Sequence, residues 1–402
     1  MEEAAFAEDT AAFALLARIC ADVPANQLSP TTRAAAAELD DWDAFLPLVV
    51  RHRVAGIVHR LVSHDPTLLP PAVAEALAAK ASFQVRRSLV LAGAMARLQA
   101  LFDAEGIDAI FFKGALTGQR AFGSVAVKHG KDIDFLVPEE QLTRVLDLLD
   151  RHGFRRVFPG VPLTGRRFGA FRRLGMEVEL VDEKTGVQVE PHWRLTENRR
   201  LLPLAPLVAA AGRHDCLAAT QIHSFHPDDH LAYLFVHGLR SGWFRLKWLV
   251  EIHALVARLP LLEISRVHRH AAARGAGPAA VLALGLCREI LGTAIPDDIV
   301  AAGDSRLQRD MRATCRRMLR DPHDQYSPWT LLRLSMLHAT ACGPGHILSE
   351  LARWTINSAD AVDVPLPRPL YCLYPLLRGP LWCWRRMGGA AERRNAAMLA
   401  PQ

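Results

Sequence analysis

At Gly106 the spacing of apolar residues changes, and few architectures accommodate such a change. Upstream, Ala-rich segments carry apolar residues three and four apart, the repeat of amphipathic helices, with breaks at Pro24, Pro30, Pro47, Pro66 and Pro70-Pro71. The last of these helices is expected from about Ser82 to Glu105, with Leu91, Met95, Leu98, Leu101 and Phe102 on one side and Gly106 as its stop. Ile107-Asp108-Ala109-Ile110-Phe111-Phe112 is then an apolar run of strand length. Lys113-Gly114-Ala115 follows and leads into a short helix to about Phe122. A polar stretch, Gly123–Lys131, precedes a second strand, Asp132-Ile133-Asp134-Phe135-Leu136-Val137. Pro138-Glu139-Glu140 opens an amphipathic helix with Leu142, Val145, Leu146 and Leu149 on one face and Gly153 after it. Phe154 to Phe158 reads as a further strand. Met176–Val181 and Val187–Glu190 alternate around a polar turn ending in Gly186, the pattern of a β-hairpin. Helical spacing returns from about Leu201 to Leu351. The order predicts an α+β, mostly helical chain with a small mixed β-sheet. Its regions are 1–105 (helical), 106–200 (the mixed core), 201–357 (helical) and a Pro-, Arg- and aromatic-rich tail, 358–402.

Composition removes several classes. Of 402 residues, 50% are hydrophobic and 22% charged, which is ordinary for a folded chain and excludes disorder. The net charge of +6 is mildly basic, short of a protein that coats nucleic acid. Of the 48 basic residues six are Lys, leaving 42 Arg, so a Lys carries more information than an Arg here. Three of the six, Lys113, Lys128 and Lys131, fall close together. Seven cysteines without a CxxC pair read as reduced thiols of a cytoplasmic protein. The acidic start Met1-Glu2-Glu3 does not look like a secretory signal, and no apolar run is long enough to predict a membrane span.

Chemistry is expected where polar residues interrupt the strands. The two-residue period of a strand puts Asp132 and Asp134 on one face and Ile133 on the other. Paired carboxylates at that spacing repel, and a divalent cation with a taste for hard oxygen ligands, Mg²⁺ or Mn²⁺, resolves the conflict. A strand running into Lys113-Gly114 offers a backbone that can approach a phosphate and a compact charge beside it. Lys128, His129 and Lys131 form either a solvated basic loop or a contact to phosphates. Glu177 and Glu179 share a face of the hairpin's first strand and read as solvent-facing, as do Asp182 and Glu183 in its turn. His223, His226, His230, His237 and His253 carry no metal-binding spacing and read as surface or core histidines. The tail aromatics Tyr371, Tyr374, Trp382 and Trp384, with Arg378, Arg385 and Arg386, are expected to pack onto the C-terminal helical region.

Taken together, "FFKGALTGQRAFGSVAVKHGKDIDFLV", "VQVEPHWRL" and "HGLRSGWFRLKWLVEIHAL" resemble an uncharacterised bacterial nucleotidyltransferase family within the DNA polymerase β-like superfamily, over roughly residues 82–260. The resemblance implies that Asp132, Asp134 and Glu190 hold the metals. It implies that Lys113 and Gly114 stand at the phosphate-binding turn, where Ala115 replaces the superfamily's serine; Lys128 and Lys131, just before the paired aspartates, are expected on the nucleotide side. His192 and Lys247 match family positions without an established role, and His192, Arg240 and Lys247 are expected on the acceptor side. The implied reaction moves a nucleoside monophosphate from an NTP, ATP first among them, to a hydroxyl on a peptide, protein or small molecule. Two other readings stay open: a catalytically weak nucleotide-binding accessory protein of a biosynthetic pathway, and a nucleic-acid-binding protein.

Overall fold

The computed structural model describes residues 2–217, 220–321, 327–356 and 358–385. The final stretch of the tail, 386–402 with Arg386, lies outside them.

Pro71 in the first turn of a helix loses nothing by its missing N–H, and the helix it opens runs unbroken from Pro71 to Ala104. It therefore starts earlier than the apolar spacing suggests. Its first half packs on the N-terminal helices, where Gln84 Oε1 accepts from Gly56 N and Gln84 Nε2 donates to Val127 O. Its second half, from Leu91 to Phe102, lies on the sheet.

Seven strands form one sheet: β1 Ile110–Phe111, β2 Asp132–Leu136, β3 Phe154–Phe158, β4 Glu179–Asp182, β5 Gln188–His192, β6 Gly212–Leu217 and β7 Thr220–Ser224, in the order β3-β4-β5-β2-β1-β7-β6. β4 and β5 are the expected antiparallel hairpin. β5 then runs parallel to β2, which requires the crossover through helices Leu142–Arg151 and Gly165–Leu174. Ile133 and Phe135 enter the core beneath helix Pro71–Ala104, joined by Val145, Leu149, Leu180 and Val189. Ile110, Phe112 and Leu136 on the opposite face join the larger core shared with the N- and C-terminal helices.

The helical reading of the chain after Leu201 needs one correction. β6 and β7 extend the sheet beyond residue 200, with β7 parallel to β1. Their sequence, Gly212-Arg213-His214-Asp215 and Thr220-Gln221-Ile222-His223, is too polar to announce strands, and Cys216 and Ile222 are the buried anchors. A second correction concerns the tail. Helix Ser358–Asp363 seats against Gly165–Leu174 of the mixed core instead of the C-terminal helices. Ala170, Ala361 and Tyr374 form a small cluster there, and Tyr374 Oη donates to Val364 O at 2.9 Å. Among the described residues, no helix is long and apolar enough to cross a membrane.

Candidate active site

The parallel ladder sets the register of the site. Asp132 stands opposite Gln188, Asp134 opposite Glu190, and Leu136 opposite His192. Asp134 and Glu190 therefore become neighbours on one face of the sheet. Asp134 is fully buried, and its Oδ1 takes Lys113 Nζ at 2.6 Å and His192 Nε2 at 3.3 Å. Its Oδ2 is buried with no hydrogen-bond partner among the described residues. Ligand atoms of Asp134, Glu190 and His192 all lie within 4.8 Å of one another. Two carboxylates, one imidazole and an orphaned carboxylate oxygen make a donor set that fits a divalent cation. The imidazole shifts its preference from Mg²⁺ toward Mn²⁺.

The electrostatics fit the same picture. Burial alone would raise Asp134, yet Lys113 and His192 hold it well below the ordinary carboxylate range. Burial would lower Lys113, but Asp134 outweighs it and raises it well above a free lysine. Glu190 lies 3.9 Å from His192 Nε2, a looser contact than those of Asp134. Burial first, then the charges of Asp134 and Asp132, push it up to about 9, so two carboxylates share the space with only one ionised at neutral pH.

Asp132 begins β2, is only partly buried and stands on the same face as Asp134, but it lies outside the tight three-residue cluster. It faces the turn at Gly114. Gly114 adopts φ +66°, a region costly for other residues, and its N–H precedes helix Ala115–Phe122. A small cavity is lined there by Lys113, Gly114, Lys128 and Asp132. Lys128 Nζ pairs with Glu251 Oε1 at 3.4 Å in the interior, so its charge is already partnered. Lys131 is exposed, and its backbone carbonyl accepts from Arg87. Lys247, on helix Leu246–Val256, has its amino group over the Trp248 ring at 5.6 Å. Burial and then Lys128 push it down to about 7.

On the other side of Lys113 opens a cavity of about 330 Å³. Lys113, Glu190, His192 and Arg240 all line it; Lys247 does not, and the charges that act on it are those of Lys128, Glu251, Arg53 and Asp132. The three residues expected on the acceptor side are thus divided between two places. Arg240 donates to Glu197 Oε2 at 2.8 Å and to Leu195 O at 3.2 Å.

Three residues of this wall escaped the sequence reading. Glu177, taken as solvent-facing, forms a bridge to His192 and places Oε2 3.1 Å from His192 Nδ1. Tyr233 lies 5.8 Å from Lys113 Nζ by its ring centroid and stacks on His237 at 5.7 Å. His237 lines the cavity, and burial drives it well below an ordinary histidine. Their helical spacing in Pro227–Arg240 was visible; that this face points at the strand ends was not. His230 fits the core reading, hydrogen-bonded to Thr117 Oγ1 at 3.0 Å. Glu179 accepts from Gln188 and stays apart from the cluster.

Comparison with curated proteins finds no match. Comparison with protein families finds one described as "Uncharacterised nucleotidyltransferase", matching residues 38–292. That span takes in the later N-terminal helices, the whole sheet and helix Pro227–Arg240, but not helices Pro328–Cys342 and Pro344–Thr355, which complete the cavity wall. A match over more than half of the chain, centred on a sheet that gathers two acidic strands and a glycine turn, places this protein in that nucleotidyltransferase family.

Proposed function

We propose that the protein transfers a nucleoside monophosphate from an NTP, with ATP the first to test, to a hydroxyl group of an acceptor. The observation that carries this reading is the pairing of Asp134 with Glu190 across parallel strands, beside a glycine turn and a half-buried lysine. Asp134, Glu190 and His192 would hold one Mg²⁺ or Mn²⁺, with Asp132 positioned to share a second ion nearer Gly114. Bound there, the cations would neutralise the carboxylates, lower the pKa of the acceptor hydroxyl and stabilise the leaving pyrophosphate.

The chain's own groups complete the chemistry. The Gly114 backbone and the N-terminus of helix Ala115–Phe122 face the triphosphate. Lys113 gives its charge to the phosphate oxygens as they gain charge in the transition state. Lys247 and the exposed Lys131 lie on the same side as further cations, while Lys128 holds Glu251 and shapes the loop. The acceptor oxygen bonds to the α-phosphorus as the bond from that phosphorus to the β-phosphate bridging oxygen breaks. The hydroxyl proton passes to solvent.

The test is a titration of ATP in Mn²⁺ or Mg²⁺ against the same titration in chelator, followed by release of pyrophosphate in the presence of hydroxyl-bearing peptides and small molecules. Metal-dependent ATP binding is expected. An absence of nucleotide binding with either ion would overturn the reading.

A further inference from the structure

The cavity beside Glu190 does not end blindly. A second chamber of about 570 Å³ shares Met176, Glu177, Glu197, Arg353 and Trp354 with it, so the two adjoin across a common wall. The outer chamber contains none of Lys113, Asp132, Asp134 or Glu190, and so lies away from where a triphosphate would sit. Its charge is distinctive. Arg173, Arg194, Arg199, Arg353 and Arg378 line it, against only Glu177 and Glu197. Both acids are already engaged, Glu197 with Arg240 and Glu177 with His192.

The arginines are served unevenly. Arg194 divides its N–H groups among Glu139 and the carbonyls of Arg172, Arg173 and Gly175. Arg199 reaches the Arg173 carbonyl at 3.3 Å, and Arg353 holds Glu350. Arg173 has no carboxylate partner among the described residues, and one nitrogen of Arg378, Nη1, is buried with no hydrogen-bond partner. Arg194 is held below an ordinary arginine by burial and then by repulsion from Arg199, against the pull of Glu139. Like charges gathered at such cost point to an anion that belongs among them.

Resting on the nucleotidyl-transfer reading, we infer that this arginine chamber seats the acidic segment of a peptide acceptor whose hydroxyl side chain reaches Glu190 through the shared wall. An extended peptide advances about 3.3 Å per residue, so a short stretch spans both chambers. Trp354, Tyr371 and Phe158 among the arginines supply the apolar surface that a polypeptide covers and a lone phosphate does not. The acidic residues fix register, and the serine or threonine between them is the group modified.

The probe is a fluorescein-labelled peptide in which one serine is flanked by glutamates, read by anisotropy against the same peptide with lysines. The acidic peptide should bind in a salt-sensitive way and the basic one should not. Arg173→Glu with Arg378→Glu should weaken binding about tenfold or more. Arg173 is exposed and Arg378 partly so, and an unchanged melting temperature would show that the doubly substituted protein folds. Equal binding of both peptides, equal binding by the variant, or complete displacement by modest inorganic phosphate would each overturn the inference. Titration of ATP with Mn²⁺ in the same samples separates the two claims. Failure of that titration with peptide binding intact would sink the transfer reading while leaving the acidic-peptide cleft standing.

Discussion

Removing either partner of the Lys113–Asp134 pair should reveal how the site behaves without a cation. The two are 2.6 Å apart, with the Asp134 side chain fully buried and that of Lys113 20% exposed. The asymmetry sets the magnitudes. Lys113→Met leaves an ionised carboxylate in the interior with one oxygen already orphaned, a loss of about 3–5 kcal/mol. Asp134→Asn leaves an ammonium that can turn to water, so the loss should be smaller, about 1–3 kcal/mol. The double variant should lose well under the sum of the two losses, because neither charge is then stranded. Urea denaturation in chelator measures all four proteins. Adding Mn²⁺ at about 100 times its dissociation constant should return about 2.7 kcal/mol to Lys113→Met, since the cation replaces the missing charge, and nothing to the double variant. A cost for Lys113→Met under about 1 kcal/mol, or one smaller than that of Asp134→Asn, would refute this account of the buried pair.

Asp134→Asn and Glu190→Gln should each lower transfer by about 10³-fold or more, while Glu179→Gln, whose parent side chain only accepts from Gln188, should stay near the unsubstituted rate in a pyrophosphate-release assay. Lys247, pushed down to about 7, loses its proton in the free protein as pH rises past that value; a bound triphosphate would hold the proton to higher pH. Binding thus takes up a proton, so ATP affinity should fall by up to about tenfold per pH unit above about 7, and Lys247→Met should flatten that dependence in calorimetric titrations. Gly238→Ala would set a methyl 2.2 Å from the Trp243 ring, which is fully buried. The overpacking should cost about 1–3 kcal/mol, more than the roughly 1 kcal/mol gained in helix propensity. Unfolding midpoints decide it, and a more stable variant would show that the indole can yield.

What could be read from the sequence was local. The period of two that aligns Asp132 with Asp134, the Pro and Gly boundaries and the hairpin of β4 and β5 all depend on neighbouring residues. The family resemblance supplied Glu190 as the third acid, but the pairing of β2 with β5 was not legible, since nothing in either strand names its partner. His192 was read toward an acceptor because, although it shares a strand face with Glu190, the sequence cannot show that Asp134 lies within its reach. Glu177 looked solvated because its strand alternates; the bridge to His192 turns it toward the cavity. β6 and β7 were hidden by their polar residues, and the seat of the tail depended on Arg167, whose Nε donates to Val362 O across the core surface.

The parallel ladder between β2 and β5 also has a consequence for the order of assembly. Asp134 and Glu190 are brought side by side only after the whole excursion from Leu142 to Val187 has been threaded and closed. A nascent chain that has emerged as far as β4 therefore owns its paired aspartates but not the acid or the imidazole that completes the set. Such a chain has little with which to sequester a divalent ion, and the loop-closing step is the slow kind. Divalent ions should then leave the folding rate nearly untouched and slow unfolding instead, acting as a latch on the finished sheet.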